Sequence, residues 1–125
     1  MKKKKRLVYL SGGMSGIEPR EYRRRFCEAE TILRRHGYGC INPCRVWPCR
    51  FPWLYRLMNA LLGKRLTYAV ILAYDLILLM TRADGIAMLP GWEQSRGARI
   101  ENYTARHFPL MGISRQASEE IDKIK

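Results

Sequence analysis

The sequence predicts an α/β domain in which helices cover both faces of a short parallel sheet. Three observations support this fold class. Short apolar segments alternate with helical segments along the 125 residues, the apolar segments have the length of strands, and turns rich in glycine or proline separate the elements. Such alternation is typical of a parallel sheet buried between two helical layers. The length predicts a single domain over residues 1–125, with residues 1–5 and 116–125 peripheral.

The first half of the chain supplies two strands and a basic helix. Residues 6–10 form the first strand, which stops at the glycine-rich turn SGGMSG. Pro19 opens a helix that runs to about residue 35, and Gly37 ends it. Residues 38–41 form the second strand, which Asn42-Pro43 terminates. Residues 43–55 contain three prolines and predict a long ordered loop, whose aromatic side chains (Trp47, Phe51, Trp53 and Tyr55) pack on the core or cover a pocket or a partner.

The second half predicts three helices, two strands and a tail. A helix over about residues 54–62 ends near Gly63. The helix that follows, residues 66–82, is apolar on nearly all sides, so we expect it in the core or in an oligomer interface. Residues 86–89 form a strand, 95–107 a helix and 110–113 the last strand. The tail, 116–125, is a weakly amphipathic helix or is frayed.

The formal charge of +12 favours anionic ligands without choosing among them. Lys2 to Arg6 form a basic tip, and the helix over residues 19–35 carries six further arginines. A solvated basic face explains much of this charge. No helix-turn-helix, zinc-finger or RNP-type motif is visible, so nucleic-acid binding is possible but not favoured.

Neither secretion nor membrane insertion is expected. The apolar stretch after the basic tip stops at Ser11-Gly12-Gly13, which is too early for a signal peptide. The most apolar region, residues 66–80, contains Asp75 and is shorter than the roughly 20 residues that span a bilayer. We therefore expect a cytoplasmic protein without membrane contact.

Four cysteines leave three alternatives open. Three of them, Cys40, Cys44 and Cys49, follow His36 at spacings that could hold zinc, but no CxxC pair is present. Disulfides are the second alternative, and reduced, partly buried thiols are the favoured one. We expect no metal ion and no organic cofactor.

The loops that follow the strands are where a ligand is expected. In parallel sheets, ligands bind beyond the carboxyl ends of the strands, which here means residues 11–18, 42–53 and 90–97. The SGGMSG turn offers unhindered backbone N–H groups before a helix, an arrangement that suits an anion or simply makes a tight turn. Ser95 stands where it caps a helix or contacts a phosphate. Asp75 is the only charge in an apolar helix, so it is paired, exposed at a sheet end or functional.

Four segments resemble a known family. They are YLSGGMSG from Tyr9, INP from Ile41, YDL from Tyr74 and ADGIAMLPGWEQSRGARIE from Ala83. Together they resemble the DUF4406 family, which looks like a small branch of the nucleoside 2-deoxyribosyltransferase superfamily; that superfamily includes deoxynucleoside 5′-monophosphate N-glycosidases. The resemblance covers about residues 6–113, and LPGWEQSRGARIE is its most specific part. It implies a flavodoxin-like three-layer sandwich.

The resemblance also implies roles for individual residues. Ser95, Gly97 and Glu101 keep the Ser-x-Gly-x-x-x-Glu spacing, in which the glutamate attacks the anomeric carbon of the sugar. Asp75 is the favoured carboxyl group for protonating the leaving base. Asp84 is the alternative, or it binds the edge of the base. The other implied contacts are Tyr9 and Ser11 at the sugar, Ser95 with Arg96 and Arg99 at a phosphate, and Gly12, Gly13, Gly91, Trp92 and Gly97 in the surrounding loops.

Two departures from the superfamily pattern affect these roles. The catalytic segment reads Arg-Ile-Glu-Asn-Tyr, which predicts that Arg99 lies near Glu101 and favours its ionised form. The basic charge and the loop rich in proline and tryptophan are also atypical, so the resemblance does not fix the size or specificity of the substrate.

The leading hypothesis is an N-glycosidase or 2-deoxyribosyltransferase acting on a nucleoside or nucleotide as a homodimer or larger homo-oligomer. The first alternative is a non-catalytic module that binds a nucleotide in the same crevice. The second is a basic protein associated with nucleic acid, whose binding would depend steeply on salt.

Overall fold

The computed structural model describes residues 5–13, 17–45, 51–108 and 110–124. Within these ranges, three parallel strands lie in the order β2-β1-β3. Helices pack on both faces, so the fold is the predicted α/β class with a flavodoxin-like arrangement. The strands are β1 (Leu7–Ser11), β2 (Gly39–Ile41) and β3 (Gly85–Met88), and the helices are α1 (Pro19–Arg35), α2 (Pro52–Thr81), α3 (Arg96–His107) and α4 (Arg115–Asp122).

The central strand sorts its side chains between two cores. Val8 and Leu10 pack into one buried cluster with side chains of α1 and α4. Tyr9 packs into the other cluster, with side chains of α2 and α3. This alternation follows from the two-residue period of a strand. It makes the molecule a three-layer sandwich in which odd-numbered residues of β1 face α2 and α3.

Helix α1 is tied to the end of β2 through a buried carboxylate. Glu30 is 5% exposed. It accepts hydrogen bonds from Asn42 Nδ2 (3.0 Å), Arg34 Nε (2.9 Å) and an Arg45 guanidinium nitrogen (3.1 Å). Three donors offset the cost of burying this charge. The residues that follow β2 are therefore held against α1.

Helix α2 is interrupted at Gly63, as the sequence predicted. The backbone angles there are φ 81° and ψ 157°, outside the helical region, and a positive φ of this size favours glycine. The helix begins earlier than expected, however, at Pro52. The predicted loop is therefore shorter than expected and ends before residue 52. Pro52 can open the helix because proline is tolerated in the first helical turn. Trp47 lies outside the described residues.

The second half of α2 does not lie wholly in the core, since several of its apolar residues are exposed in the single chain; the alternative, an oligomer interface, stays a prediction. Leu66 is 49% exposed and Ile77 is 53% exposed. Thr67, Leu78 and Leu79 are its buried members. Of these, Leu79 packs with Tyr9 of β1 and Ala105 of α3 in the core on this side of the sheet.

The predicted fourth strand is reduced to one bridge. Met111 pairs in parallel with Gly85, and no strand forms between residues 110 and 113. The segment is too short: the Leu110 amide bonds back to Ala105 at the end of α3 (3.2 Å), and Ser114 already caps α4. The bridge is close, since a Cβ on Gly85 would lie 2.4 Å from the carbonyl oxygen of Met111.

The remaining tail is helical. In α4, Ser114 Oγ accepts a hydrogen bond from the Ala117 amide (3.3 Å), and Ala117 and Ile121 are buried. Among the described residues, no helix combines the length and the apolar character that crossing a membrane requires.

Candidate functional site

A pair of carboxyl groups lies at the carboxyl edge of the sheet, on the side of α2 and α3. β1 delivers Tyr9 and Ser11 to this side because they are odd-numbered residues of the strand. Both are fully buried. α3 delivers Glu101, and the second half of α2 delivers Asp75.

Glu101 is buried and held by two hydroxyl groups. Its side chain is 6% exposed. One carboxylate oxygen accepts a hydrogen bond from Ser11 Oγ (2.7 Å), and the other accepts a short hydrogen bond from the Tyr9 hydroxyl. Ser95 fixes the start of α3, since its Oγ accepts from the Ala98 amide (3.3 Å). The helix thus begins at a defined residue and turns Glu101 inward.

The pKa values of both carboxyl groups are raised. Burial raises the pKa of Glu101 to about 7, although the hydrogen bonds from Tyr9 and Ser11 lower it. Burial, with the negative charge of Glu101 as a second cause, raises the pKa of Asp75 to about 8, and a hydrogen bond with Tyr9 opposes this shift. Two neighbouring carboxyl groups in a low dielectric do not both ionise easily. At pH 7 the pair therefore holds a proton, and Asp75 is the member that retains it more strongly.

Both carboxyl groups open into a cleft of about 660 Å³. This volume lies within the range of sites that bind small molecules. Much of the wall is apolar or aromatic, and two arginines complete it. The residues that line this cleft include Tyr9, Gly12, Tyr22, Arg23, Phe26, Tyr55, Arg56, Tyr68, Asp75, Ser95, Gly97 and Glu101.

Most of the predicted site residues converge on this cleft. Tyr9, Gly12, Asp75, Ser95, Gly97 and Glu101 line it, and Ser11 reaches it through its bond to Glu101. Gly97 allows a close approach, because a Cβ there would lie 3.0 Å from the Tyr68 hydroxyl. Gly13 and Gly91 line a smaller cavity of about 110 Å³, which shares Tyr22 and Phe26 with the cleft.

Four predicted side-chain contacts, Asp84, Trp92, Arg96 and Arg99, do not line the cleft. Asp84 lies at the opposite edge of the sheet, where its Oδ2 accepts from the Leu7 amide (2.9 Å). It precedes β3, and ligands in parallel sheets bind beyond the other end of the strands. Arg96 is exposed at the start of α3, and Trp92 is half-buried in a short 3-10 turn. Neither side chain lines the cleft.

The predicted influence of Arg99 on Glu101 is not found. Arg99 is exposed on α3. The pKa of Glu101 reflects burial and two hydroxyl groups instead. Arg99 lies two positions before Glu101, and side chains at that spacing on a helix do not face each other.

Sequence reasoning did not assign Tyr22, Arg23, Arg56 or Tyr68 to the site. Arg23 is one of six arginines in the same predicted helix, and the sequence does not show which of them faces a cleft. The prediction that loop aromatics could cover a pocket is partly met by Tyr55, which lines the cleft from the first turn of α2.

The described cysteines, Cys27, Cys40 and Cys44, do not line this cleft. Cys27 and Cys40 carry free thiols, and burial raises the pKa of Cys40 to about 12, with the negative charge of Glu30 as a further cause. Cys49 lies outside the described residues. Over the part of the chain that the structure describes, no three potential ligands are grouped to hold a metal ion.

Comparison with known proteins gives the family and no activity. No curated protein matches the chain. No solved structure matches it either. A family model described as a domain of unknown function (DUF4406) matches residues 6–112. This match spans every strand of the sheet and every residue of the carboxyl pair and its hydroxyl partners. The chain belongs to the DUF4406 family.

Proposed function

We propose that the chain is an N-glycosidase or 2-deoxyribosyltransferase that cleaves the bond between sugar and base in a nucleoside or nucleotide. The observation that carries the proposal is the carboxyl pair Asp75 and Glu101, which line one cleft and both have raised pKa values, that of Asp75 partly through the charge of Glu101. Most enzymes that hydrolyse glycosides use a pair of carboxyl groups, one as the acid and the other as the nucleophile or base.

Glu101 is the proposed nucleophile. Each of its oxygens accepts one hydrogen bond from Ser11 or Tyr9 and keeps a further lone pair for reaction. In the first step, one oxygen of Glu101 forms an ester bond to the anomeric carbon as the bond from that carbon to the base breaks. The two hydroxyl groups keep the carboxylate oriented and partly offset its burial.

Asp75 is the proposed acid and base. Its raised pKa keeps a proton on it at pH 7, and it gives that proton to the departing base. Asp75 then accepts a proton from water, and the resulting hydroxide displaces Glu101 from the sugar. If a second base attacks instead of water, the same steps transfer the sugar.

The experiment that tests this proposal is product analysis by chromatography. Wild type is incubated with 2′-deoxynucleosides, ribonucleosides and their 5′-monophosphates, with and without a free acceptor base. We expect wild type to release base and Glu101→Gln to release none while its circular dichroism stays unchanged. Glu93→Gln is the matched control, since Glu93 is exposed and does not line the cleft.

Failure of the folded wild type to release base from any substrate would contradict the proposal. The preferred function would then be the non-catalytic nucleotide-binding module, in which Glu101 contacts the ligand. Ligand-induced stabilisation without cleavage would identify that module directly.

We further propose that the working form is a homodimer or larger homo-oligomer located in the cytoplasm. Support for the oligomer comes from the apolar side chains that α2 leaves exposed, which include Leu61 (73%) and Ile77 (53%). Contiguous apolar surface of this kind marks interaction sites. The free thiols of Cys27 and Cys40 fit a reducing compartment.

A further inference from the structure

Two arginines that face the cleft have no carboxylate partner. Arg23 lies in α1 and Arg56 in the first half of α2, and both are exposed side chains that line the cleft. Among the described residues, neither forms an ion pair within 4.0 Å. The neighbouring Arg24, by contrast, pairs with Glu21 (2.5 Å) and Glu28 (2.6 Å). Arg24, Arg25 and Arg34 pair with acidic residues of α1 itself. Arg23, which lines the cleft, forms no ion pair with any described residue.

The wall beside these arginines favours an anionic ligand. Tyr22 and Phe26 flank Arg23 along α1, and Tyr55 precedes Arg56. Aromatic rings beside guanidinium groups give the cleft wall both a surface for a planar base and positive charge for an anion. The carboxyl groups of the cleft do not neutralise the arginines, since neither Asp75 nor Glu101 is within ion-pair distance of them in the described structure. Guanidinium groups match the geometry of phosphate oxygens.

We propose that Arg23 and Arg56 form a two-arginine anion site across the mouth of the cleft, and that this site binds the phosphate group of a nucleotide. The inference rests on the proposed function and narrows its substrate from nucleosides and nucleotides to nucleotides. The sugar lies at Asp75 and Glu101, the base stacks on the aromatic wall, and the phosphate joins α1 to α2.

This assignment gives the charged part of the phosphate contact to Arg23 and Arg56 in place of Arg96, which does not line the cleft. Ser95 lines the cleft, and its hydroxyl accepts a hydrogen bond from the Ala98 amide and keeps its own proton to donate. A phosphate held by Arg23 and Arg56 also links two elements that the sequence separates by 33 positions. Since Gly63 interrupts α2, the half of the helix that carries Arg56 is connected to the rest through a non-helical residue.

The test measures binding by calorimetry in the Glu101→Gln background, where the proposed cleavage is blocked. The probes are 2′-deoxynucleoside 5′-monophosphates and the matching 2′-deoxynucleosides. We expect the monophosphates to bind at least about tenfold more tightly than the nucleosides. Adding Arg23→Gln and Arg56→Gln should weaken monophosphate binding by about 10- to 100-fold and leave nucleoside binding unchanged, because hydrogen bonds between charged groups are lost.

The matched control is the pair Arg20→Gln and Arg65→Gln. It removes the same charge from the same two helices, at exposed positions that do not line the cleft. We expect it to keep the preference for the monophosphates. An equal loss in the control pair would mean that general electrostatic attraction causes the preference, and would overturn the proposal.

Three further outcomes would overturn the anion site: monophosphates and nucleosides binding equally, the preference surviving loss of both arginines, or no monophosphate binding at all. Two further results separate this proposal from the proposed activity. Equal cleavage of nucleosides and monophosphates by wild type would support the glycosidase activity and contradict the anion site. Binding that depends on both the phosphate and the arginines, without cleavage, would keep the anion site and remove the glycosidase.

Discussion

At the scale of single residues, Tyr9 is the group that connects the two carboxyl groups. Its hydroxyl donates to Glu101, and its hydrogen bond also lowers the pKa of Asp75. Tyr9 is fully buried in the core between the sheet and α3, so its ring cannot swing away from the pair. Tyr9 has a single O–H proton, so it can stabilise only one of the two carboxylates at a time, and in the structure it donates that proton to Glu101.

Replacing Tyr9 by phenylalanine should raise the pKa of Glu101. The substitution removes a hydrogen bond that favours the ionised carboxylate, and a loss of about 1.4 kcal/mol corresponds to about one pKa unit. We expect the carboxyl carbon of Glu101 to titrate about one unit higher by ¹³C NMR. Tyr103→Phe is the control, because Tyr103 lies in α3, the helix that carries Glu101, and its side chain is 62% exposed. An unchanged titration in Tyr9→Phe would contradict the role given to this hydroxyl.

The carboxyl pair should also make the protein less stable as the pH rises. The pKa values in the fold, about 8 for Asp75 and about 7 for Glu101, exceed the ordinary values of 3.8 and 4.5. The folded state thus binds these protons more tightly than the unfolded state. Their contribution to stability is complete below about pH 3.8 and is lost as the pH rises through 7 to 8.

The measurement is urea denaturation between pH 4 and pH 8.5. We expect the free energy of unfolding of wild type to fall with pH relative to that of the Asp75→Asn, Glu101→Gln double variant, whose amides do not titrate. Glu93→Gln should follow the wild-type curve. Parallel curves for wild type and the double variant would show that the pair does not bind protons preferentially in the fold.

At the scale of elements, the turn after β1 determines how closely the sheet edge approaches the loop after β3. A Cβ on Gly12 would lie 2.8 Å from Leu89 Cβ and Cδ1, and Leu89 is 3% exposed in the core of the α1 face. The Leu89 amide also donates to the Ser11 carbonyl oxygen (2.8 Å). The turn therefore needs glycine because the packing is close, and not because of an unusual backbone angle.

Gly12→Ala should destabilise the fold by about 1–3 kcal/mol, the usual cost of overpacking a buried contact. Its neighbour is the matched control: a Cβ on Gly13 would lie 3.4 Å from Ser95 Cβ, an ordinary contact distance. Gly13→Ala should change the free energy of unfolding by much less in the same thermal or chemical denaturation experiment. Equal effects of the two alanines would mean that Leu89 moves aside.

The order of the elements and the carboxyl pair could be predicted from the sequence, while the arginines of the cleft could not. Three strands and the break at Gly63 follow from local signals, namely β-rich segments and glycine. The strand at residues 110–113 fails because neighbouring helix ends use its backbone groups. Which side of α1 faces the cleft depends on how α1 packs against the sheet and where α2 lies around the cleft, so Arg23 could not be separated from Arg24 before the fold was known.

At the scale of the whole molecule, α2 is the helix that leaves many large apolar side chains exposed to solvent. It packs mainly through its buried residues, such as Thr67 and Leu79. Leucine, isoleucine and tyrosine side chains along its length are more than 40% exposed, and they include Leu57, Leu61, Leu62, Leu66, Tyr68 and Ile77. The same helix carries Asp75 and Arg56, so a second copy packed on it would border the cleft.

Acidic substitutions on this surface should separate the proposed oligomer. We expect wild type to elute as a dimer or larger species in size-exclusion chromatography with light scattering, and Leu61→Glu with Leu66→Glu to elute as a monomer, because charges are costly to bury in an interface. Tyr103→Glu, an exposed aromatic on α3, is the control and should keep the wild-type mass. A monomeric wild type at micromolar concentration would contradict the oligomer.

The bridge between Gly85 and Met111 has a consequence for how the family can diverge. Any side chain at position 85 would collide with the Met111 carbonyl oxygen. A chain with a larger residue at this position therefore cannot follow the present path towards α4. Relatives should therefore fall into two groups, one with glycine at this position and a docked carboxyl-terminal segment, the other with a larger residue and a segment that leaves the sheet by another route. The residue at position 85 therefore predicts whether the segment that leads to α4 docks on the sheet.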